Sequence, residues 1–505
     1  MNPGSRLWLI VAGFFAFALA ALFGVAMSVP LNHDEHQFVA SAALLANQGL
    51  LPYRDFPYFH TPNLVGLYAL IFKGTDHLLL ATRACSTICA WLAGIVLFAF
   101  AWRRFADRAP RARMLFALGI ATLFFANPVF VYTFPKAWNN VVPVLFTLLA
   151  FVCHSRGAAT SRAKWFFAGG ALIALAAGAR ISFAPLGLPF LVAAWFAPGA
   201  RWRAIGACVL GMLLGSIPVL LVFASAPADF LFDNLVYNSR VNSAYRIASG
   251  DDRSAFLSKG VFVLKVLVNP GNAVLFAAFI YAAWRAVRAK LWRHDFPLTF
   301  VLPLFPFALI GVFAPTPSYS QYYLILTALC CLGVTCGFSR LPAAARFFAR
   351  PACVLCFAVA VSVIASVYEY RGAAGLFAPG NWTPIRLHAE GLALREHVPN
   401  GRILTVAPII PLEGGFEIYP AFATGSFAWR TAPFLSKEDR EKYGFVTADG
   451  LAALLAASPP AGILLGYDKK REEDLLDFVE KNHFQRIKLP DKKNLWLPPA
   501  ATIAR

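Results

Sequence analysis

The sequence predicts a polytopic α-helical membrane protein with a small C-terminal α/β domain. Of its 505 residues, 59% are hydrophobic and 14% are charged, whereas soluble domains contain about 45–50% apolar residues. Apolar runs near the length of roughly 20 residues that crosses a bilayer recur up to residue 368. Residues 369–505 instead mix charged and apolar residues, as a soluble domain does. We therefore expect two domains, a membrane body over 1–368 and an extramembrane domain over 369–505.

About eleven transmembrane helices are predicted from the apolar runs. The first run is too long for a signal peptide and has no small-residue cleavage site before Pro30, so it is predicted to be retained. The predicted spans are 7–29, 78–102, 113–134, 138–154, 165–180, 183–197, 204–225, 262–284, 297–314, 321–338 and 351–368.

Basic residues predict the orientation of these spans. One set of short loops carries seventeen Lys and Arg residues, among them Arg346, beside only two acidic residues, Asp107 and Asp295. Such loops are cytoplasmic in membrane proteins. We therefore expect a bacterial inner-membrane protein with a cytoplasmic N-terminus and a periplasmic C-terminal domain. The same loops largely account for the net charge of +19, so no nucleic-acid partner is needed to explain it.

Two outer loops and the C-terminal domain lie on the opposite face in this topology. Loop 30–77 is too polar and too rich in proline to span, and its pattern predicts two surface helices over 36–48 and 62–72. Loop 226–261 is the second. In the C-terminal domain we predict strands at 402–407 and 461–465, helices at 448–457 and 471–481, and a hairpin formed by 485–489 and 494–497.

Loop 30–77 concentrates a scarce residue type. Only 26 residues of the chain are acidic, and Asp34, Glu35 and Asp55 all lie in this loop. They stand beside histidines and beside the Pro- and aromatic-rich turn 52–62. Carboxylates can act as general bases, so this loop is the first candidate for a reaction site.

Cations lie toward the same outer leaflet. They can reach the headgroups by snorkelling, or they can converge on a lipid phosphate, which suits Arg. Arg180 is the strongest candidate because the short hairpin 178–182 holds it, and no Asp or Glu lies inside a predicted span. The other candidates are Arg83, Lys136, Lys265, Arg240 and Arg246.

Several motifs together resemble one family. They are the acidic pair after span one, the Gly-x-x-Pro-Tyr-x-Asp-Phe turn 49–56, the aromatic turn 58–62, Arg83 at the start of span two, and Gln321-Tyr322-Tyr323 after the proline-rich turn 315–317. In this order they resemble the GT-C membrane glycosyltransferases. The resemblance is to the branch of protein O-mannosyltransferases and lipid A aminoarabinose transferases.

The resemblance implies a chemistry. The donor is a sugar on a polyprenyl phosphate, and the acceptor is a hydroxyl of an envelope glycolipid, glycan or protein. Asp34 matches the catalytic base, which activates the hydroxyl for attack with inversion, while cations hold the leaving phosphate. No cofactor is required in this branch. A divalent metal held by His33, His36 and His60 with Asp34 is the alternative.

The chain also departs from the pattern of this branch. Gln37 and Thr61 stand where the aminoarabinose transferases have basic residues, and Asn139 and Asn140 stand where an acidic residue often opens span four. The phosphate site is therefore predicted to be built differently. Its candidate residues are Arg83, Lys136, Arg180, Arg240, Tyr322 and Tyr323.

Alternatives remain for single residues and for the whole chain. Glu35 is catalytic, or it orients the loop and caps the following helix. Asp55, with Tyr58 and His60, binds the acceptor or the sugar, or Asp55 only forms a turn. A lipid-linked glycan flippase without catalysis is the main alternative function. A metal-dependent phosphoethanolamine transferase is disfavoured because the tail lacks a His/Asp cluster of that kind.

Overall fold

A computed structural model describes residues 3–197, 201–251, 256–341 and 350–499. Of the residues named above, Arg346 lies outside this described part, as do positions 252–255 of the second outer loop and the last six residues of the chain.

The chain forms two compact units. The first comprises Met1–Ala26, Cys85–Val219 and Asp252–Phe377, and the second comprises Met27–Ala84, Leu220–Asp251 and Ala378–Arg505. These units group residues by packing, whereas the predicted domains divided the chain by its place relative to the membrane. The second unit thus contains both outer loops together with the C-terminal domain.

Helices make up the first unit and the segments that lead into the second. The α-helices are Pro3–Ser28, Leu78–Arg104, Pro110–Phe125, Pro128–Thr133, Val141–Thr160, Ala163–Ala179, Gly187–Trp195, Arg201–Ser225, Phe256–Val268, Pro270–Arg288, Phe296–Phe313, Leu324–Arg340 and Pro351–Ser366. The 3-10 helices are Ile181–Leu186, Leu291–His294, Ser320–Tyr323 and Glu369–Phe377.

Among the described residues, six helices are long and apolar enough to cross a membrane, or eight if each of two bent pairs counts as one span. Eleven spans were predicted. Two of them, 165–180 and 183–197, are present as shorter apolar helices, Ala163–Ala179 and Ile181–Trp195, and others are broken by polar caps and prolines. The predicted span 113–134 ends at Phe125, because Asn127 Oδ1 accepts hydrogen bonds from the amides of Val129 and Phe130 and starts a new helix. The protein is nevertheless a multi-pass membrane protein.

The predicted span 262–284 is one of the bent pairs. The chain turns by 89° between Phe256–Val268 and Pro270–Arg288. Asn269 Oδ1 accepts from the amide of Gly271, and Pro270 occupies the first helical position. A helix start inside the apolar run therefore divides it.

A five-stranded sheet organises the C-terminal part of the second unit. Its strands are β1 (Arg402–Leu404), β2 (Glu417–Ile418), β3 (Gly462–Leu465), β4 (Gln485–Lys488) and β5 (Asn494–Leu497), in the order β2-β1-β3-β5-β4. β1 pairs in parallel with β2 and β3, whereas β5 pairs antiparallel with β3 and β4. The predicted strands and hairpin are confirmed, and β2 was not predicted.

The remaining helices of this unit include the one that carries Asp34 and Glu35. The two predicted surface helices are present as His33–Gln48 and Asn63–Phe72. The others are Pro227–Leu231, the π-helix Phe232–Val241, Asn242–Ala248, Thr383–Ala393, Ile409–Glu413, Ser426–Thr431, Lys437–Tyr443, Leu451–Ala457 and Glu473–Lys481, with 3-10 turns Pro379–Asn381, Leu394–Glu396, Pro420–Phe422, Ala432–Phe434, Ala448–Gly450 and Pro490–Lys492.

Aromatic stacking joins the outer loops to the C-terminal domain within this unit. The Phe59 and Tyr237 rings stack with centroids 3.5 Å apart, and Phe232 and Tyr443 stack at 3.7 Å. Phe445 packs against this apolar cluster. Burial of such rings is strongly stabilising. This aromatic cluster therefore holds parts of both outer loops against the C-terminal domain.

Candidate active site

Asp34 and Glu35 lie in the first turn of the helix His33–Gln48. Asn32 Oδ1 accepts a hydrogen bond from the Asp34 amide at 2.9 Å, and Glu35 Oε2 accepts one from the Asn32 amide at 2.9 Å. This reciprocal pattern is a capping box. It fixes the backbone that presents Asp34, and it supports the capping interpretation of Glu35.

Glu35 also forms an ion pair with Arg83. Arg83 Nη2 lies 2.7 Å from Glu35 Oε2 and Nε lies 2.9 Å from Oε1, and both side chains are fully buried. Arg83 donates further hydrogen bonds to the carbonyls of Val29 and Pro30. The geometry thus engages Arg83 with the protein itself, which removes the support for its predicted role as a phosphate ligand.

Asp34 has a different environment from its neighbour. Its side chain is 24% exposed, and Oδ1 lies 3.1 Å from His33 Nε2. Burial alone would raise the pKa of Asp34, but the His33 hydrogen bond and the charges of His33, Arg430 and His60 outweigh burial and lower that pKa below its ordinary value. Asp34 is therefore a partly exposed carboxylate that remains ionised.

Asp55 and His60, both predicted to bind the acceptor or the sugar, have different environments. Asp55 accepts from the Leu51 amide at 2.7 Å and pairs with Arg54 at 2.7 Å, and these contacts lower its pKa. They are the contacts of a turn-forming aspartate. His60 stacks on Phe38 with centroids 5.1 Å apart, and its charge acts on Asp34.

Tyr58 is fully buried beside a buried carboxyl group. Its amide donates to Asp233 Oδ2 at 2.8 Å. Burial raises the pKa of the Tyr58 phenol and raises the pKa of Asp233 well above its ordinary value. The Tyr58 hydroxyl has no hydrogen-bond partner among the described residues.

The histidines proposed as an alternative metal site do not converge. Among the described residues, the groups close enough to hold a metal ion do not include His33, His36 or His60. His36 is 1% exposed and its Nδ1 accepts from the Ile409 amide at 3.5 Å. Burial, and next the charge of His33, lower the pKa of His36 to about 3. It is a neutral core residue.

Sequence reasoning missed Arg430, which lies on the helix Ser426–Thr431. Its side chain is buried, with 8% exposure, and its three guanidinium nitrogens have no hydrogen-bond partner in the part of the chain that the structure describes. It lies over Phe427 at 4.4 Å and near Tyr245 at 4.9 Å. Burial, with the charges of Arg246 and Arg471, lowers the pKa of Arg430.

Phe427 connects Arg430 to the candidate base. The His33 ring stacks on Phe427 with centroids 5.7 Å apart, and His33 in turn contacts Asp34. A contiguous set of side chains therefore runs from the carboxylate to the guanidinium, and the charge of Arg430 acts on Asp34. An arginine within an aromatic run of the sequence, Phe427-Ala428-Trp429-Arg430, was the signal that could have identified it.

In the first unit, Arg180 is held in a fixed position. It is 6% exposed, its Nη1 donates to Asn139 Oδ1 at 2.7 Å, and its Nε donates to Ser182 Oγ at 3.0 Å. Its guanidinium lies 4.3 Å from the centre of the Tyr322 ring. The hairpin that suggested Arg180 is present, since this residue is extended between Ala163–Ala179 and Ile181–Leu186.

The other predicted phosphate ligands are less specifically placed. Lys136 donates to the Tyr132 carbonyl at 2.7 Å and lies over the Tyr132 and Trp138 rings. Arg240 is exposed on its π-helix. Tyr323 is buried, with its ring 6.2 Å from that of Phe262.

Neither a protein-family model nor a curated protein sequence matches this chain. Solved structures do. ArnT from Cupriavidus metallidurans, bound to undecaprenyl phosphate, matches with a TM-score of 0.63 and 13% identity, covering 99% of each chain, and its apo state matches with a TM-score of 0.62 over the same shares. The apo oligosaccharyltransferase of Archaeoglobus fulgidus matches at 0.46, with 13% identity over 90% of this chain and 70% of that chain. The chain therefore has the fold of ArnT, the GT-C fold that its sequence motifs predicted.

Proposed function

We propose that this protein is an inverting glycosyltransferase of the inner membrane. It moves a sugar from a polyprenyl-phosphate donor to a hydroxyl of an envelope glycolipid, glycan or protein at the periplasmic face. The observation that carries the proposal is the state of Asp34, a partly exposed carboxylate with a lowered pKa in the first turn of a capped helix. The shared fold supports it, because ArnT binds undecaprenyl phosphate.

Asp34 acts as the general base. It removes the proton of the acceptor hydroxyl, and the resulting oxygen attacks the anomeric carbon of the sugar from the side opposite the phosphate. The new carbon–oxygen bond forms as the bond to the phosphate oxygen breaks. The phosphate leaves with that electron pair, so the configuration at the anomeric carbon inverts. His33 holds Asp34 ionised and oriented for the first step.

Arg180 is the proposed ligand of the donor phosphate. Asn139 and Ser182 fix its guanidinium, and the Tyr322 ring supports one of its faces. A cation fixed before the reaction stabilises developing negative charge without reorganising. Arg83 is already paired with the buried Glu35 carboxylate, and Lys136 and Arg240 are held less specifically, so we give this role to Arg180.

Arg430 is proposed to bind an anionic group of the acceptor. A buried guanidinium without hydrogen bonds is costly, and an oxyanion would satisfy its donors. In an in-line displacement the leaving phosphate departs away from the base. A cation linked to Asp34 through His33 and Phe427 therefore belongs to the acceptor side.

Transfer assays in membranes supplied with polyprenyl-phosphate-linked sugars test the proposal. Asp34→Asn preserves the size of the side chain but removes the base, so we expect a loss of about 10²–10⁴-fold in rate. Arg180→Met should raise the donor KM and lower kcat. Asp449→Asn, which changes an exposed carboxylate on a 3-10 turn, is the matched control. Full activity of Asp34→Asn would refute the role of Asp34.

A further inference from the structure

A second group of titratable side chains lies in the same unit as Asp34, at the start of the helix Leu78–Arg104. Asp76 and His77 precede this helix, and His388 lies on the helix Thr383–Ala393. One ligand atom from each residue lies within 4.8 Å of the others. The two imidazole rings are adjacent, with centroids 3.9 Å apart. Ligand atoms around tetrahedral zinc are about 3.3 Å apart, so metal binding would draw the three ligand atoms closer together.

Glu413 orients one of these imidazoles. Its Oε2 lies 2.8 Å from His388 Nδ1, and its Oε1 accepts from the Leu79 amide at 2.7 Å. When ionised, the Glu413 carboxylate accepts this hydrogen bond, which favours the tautomer in which Nδ1 carries the proton and Nε2 keeps its lone pair. Metal-binding histidines characteristically donate their other nitrogen to a carboxylate in this way.

His77 provides the second, independent indication. Its Nδ1 is buried and has no hydrogen-bond partner within the described ranges. A buried polar atom without a partner is uncommon and calls for an explanation. A metal ion at this point would take up the lone pair of His77 Nδ1.

We propose that Asp76, His77 and His388 form a binding site for a divalent transition metal of the zinc class. Two imidazoles and one carboxylate favour zinc and its neighbours over calcium or magnesium, which prefer all-oxygen sites. Water would complete the coordination. This site is separate from the His33, His36 and His60 set considered from the sequence.

The metal would stabilise segments that contact the helix carrying Asp34. The helix that follows His77 carries Arg83, which pairs with Glu35 in the capping box. Glu413 ends the short helix that begins at Ile409, whose amide donates to His36. Binding would thus join the two segments that support the helix carrying Asp34. Its role is structural, and it goes beyond the proposed transfer reaction.

Metal binding by the full chain in detergent tests the site. The protein carries an affinity tag without histidine, is treated with chelator, and is titrated with zinc chloride by calorimetry and with cobalt chloride by visible absorption. We expect one equivalent of zinc, a tetrahedral cobalt spectrum, and a zinc-dependent rise in the unfolding temperature. Wild-type protein that binds no stoichiometric zinc would overturn the proposal.

Variants distinguish this site from other histidines. His77→Ala/His388→Ala should abolish binding, and Glu413→Gln should weaken it by about 10–100-fold, as losses of such supporting carboxylates do. Asp76→Asn changes an exposed residue and should weaken binding without unfolding the protein. His397→Ala, at an exposed position, is the matched control.

Two results would contradict the assignment. Unchanged zinc affinity in both the double variant and Asp76→Asn would place the metal elsewhere. Loss of binding in His33→Ala with full binding in His388→Ala would assign it to the histidines near Asp34. If the double variant does not fold, Asp76→Asn and Glu413→Gln still test the site, because unchanged zinc affinity in both would overturn it.

Discussion

Arg83 and Glu35 form a bidentate ion pair in which neither side chain is exposed. The pair connects the helix Leu78–Arg104 to the first turn of the helix His33–Gln48, where Asp34 lies. Because the Glu35 carboxylate also accepts from the Asn32 amide, one side chain completes both the cap and the ion pair. We therefore infer that Glu35 positions the candidate base rather than sharing its chemistry.

Removing one partner of this pair should strongly destabilise the protein. Glu35→Gln leaves the Arg83 charge buried without compensation, and such losses cost about 3–5 kcal/mol. The double variant Glu35→Leu/Arg83→Met removes both charges and should recover much of that loss. Thermal unfolding in detergent measures both effects. Arg54→Met, which breaks the exposed pair with Asp55, should change the unfolding midpoint far less, and an equal change would contradict this view of Glu35.

His33 should determine the pH below which the transfer rate falls. Asp34 has a lowered pKa and contributes its basic form at every pH above that value, so the transfer rate should fall only in strongly acidic solution. His33→Phe keeps an aromatic ring against Phe427 but removes the hydrogen bond and charge that oppose burial. The pKa of Asp34 then rises, and activity should be lost at a higher pH. Profiles of kcat/KM against pH measure this shift; identical acid limbs would exclude it.

His36 should make the protein less stable in mild acid. Its folded pKa of about 3 lies below the ordinary value of 6.5, so the unfolded chain binds a proton that the folded chain does not. Stability therefore decreases as pH falls below about 6.5, by at most about 1.4 kcal/mol for each pH unit. His36→Phe should flatten the dependence of unfolding temperature on pH between about 7 and 5. His397→Gln, at an exposed position, should leave the wild-type slope.

Local patterns predicted the elements, but not the partners of the site residues. Apolar periodicity found the helices His33–Gln48 and Asn63–Phe72 and four of the five strands, because those signals lie within a few residues. The break near Asn127 is marked in the sequence only by Asn127-Pro128 within a long apolar stretch, and the length of that stretch predicts one continuous span.

The charge partnerships could not be predicted in the same way. Glu35 and Arg83 are 48 positions apart and still belong to neighbouring motifs. Arg430 comes from the C-terminal domain, and only tertiary packing of Phe427 against His33 relates it to Asp34. Arg83 was predicted as a phosphate ligand for the same reason, since nothing local in the sequence relates it to Glu35, itself a candidate catalytic residue.

Arg430 should show opposite effects on stability and on activity. Arg430→Met retains contact with the Phe427 and Tyr245 rings but removes a buried charge whose guanidinium nitrogens have no hydrogen-bond partner among the described residues. An apolar side chain of similar length removes the desolvation cost of this buried charge. The unfolding temperature should therefore rise.

If Arg430 binds an anionic acceptor, the acceptor KM of Arg430→Met should increase by about ten-fold or more, since hydrogen bonds to charged groups contribute about 1.5–3 kcal/mol. The donor KM should remain unchanged, because the donor phosphate is assigned to Arg180. A rise in donor KM instead would place Arg430 on the leaving group. A variant that is more stable and fully active would show that the guanidinium has no substrate to bind.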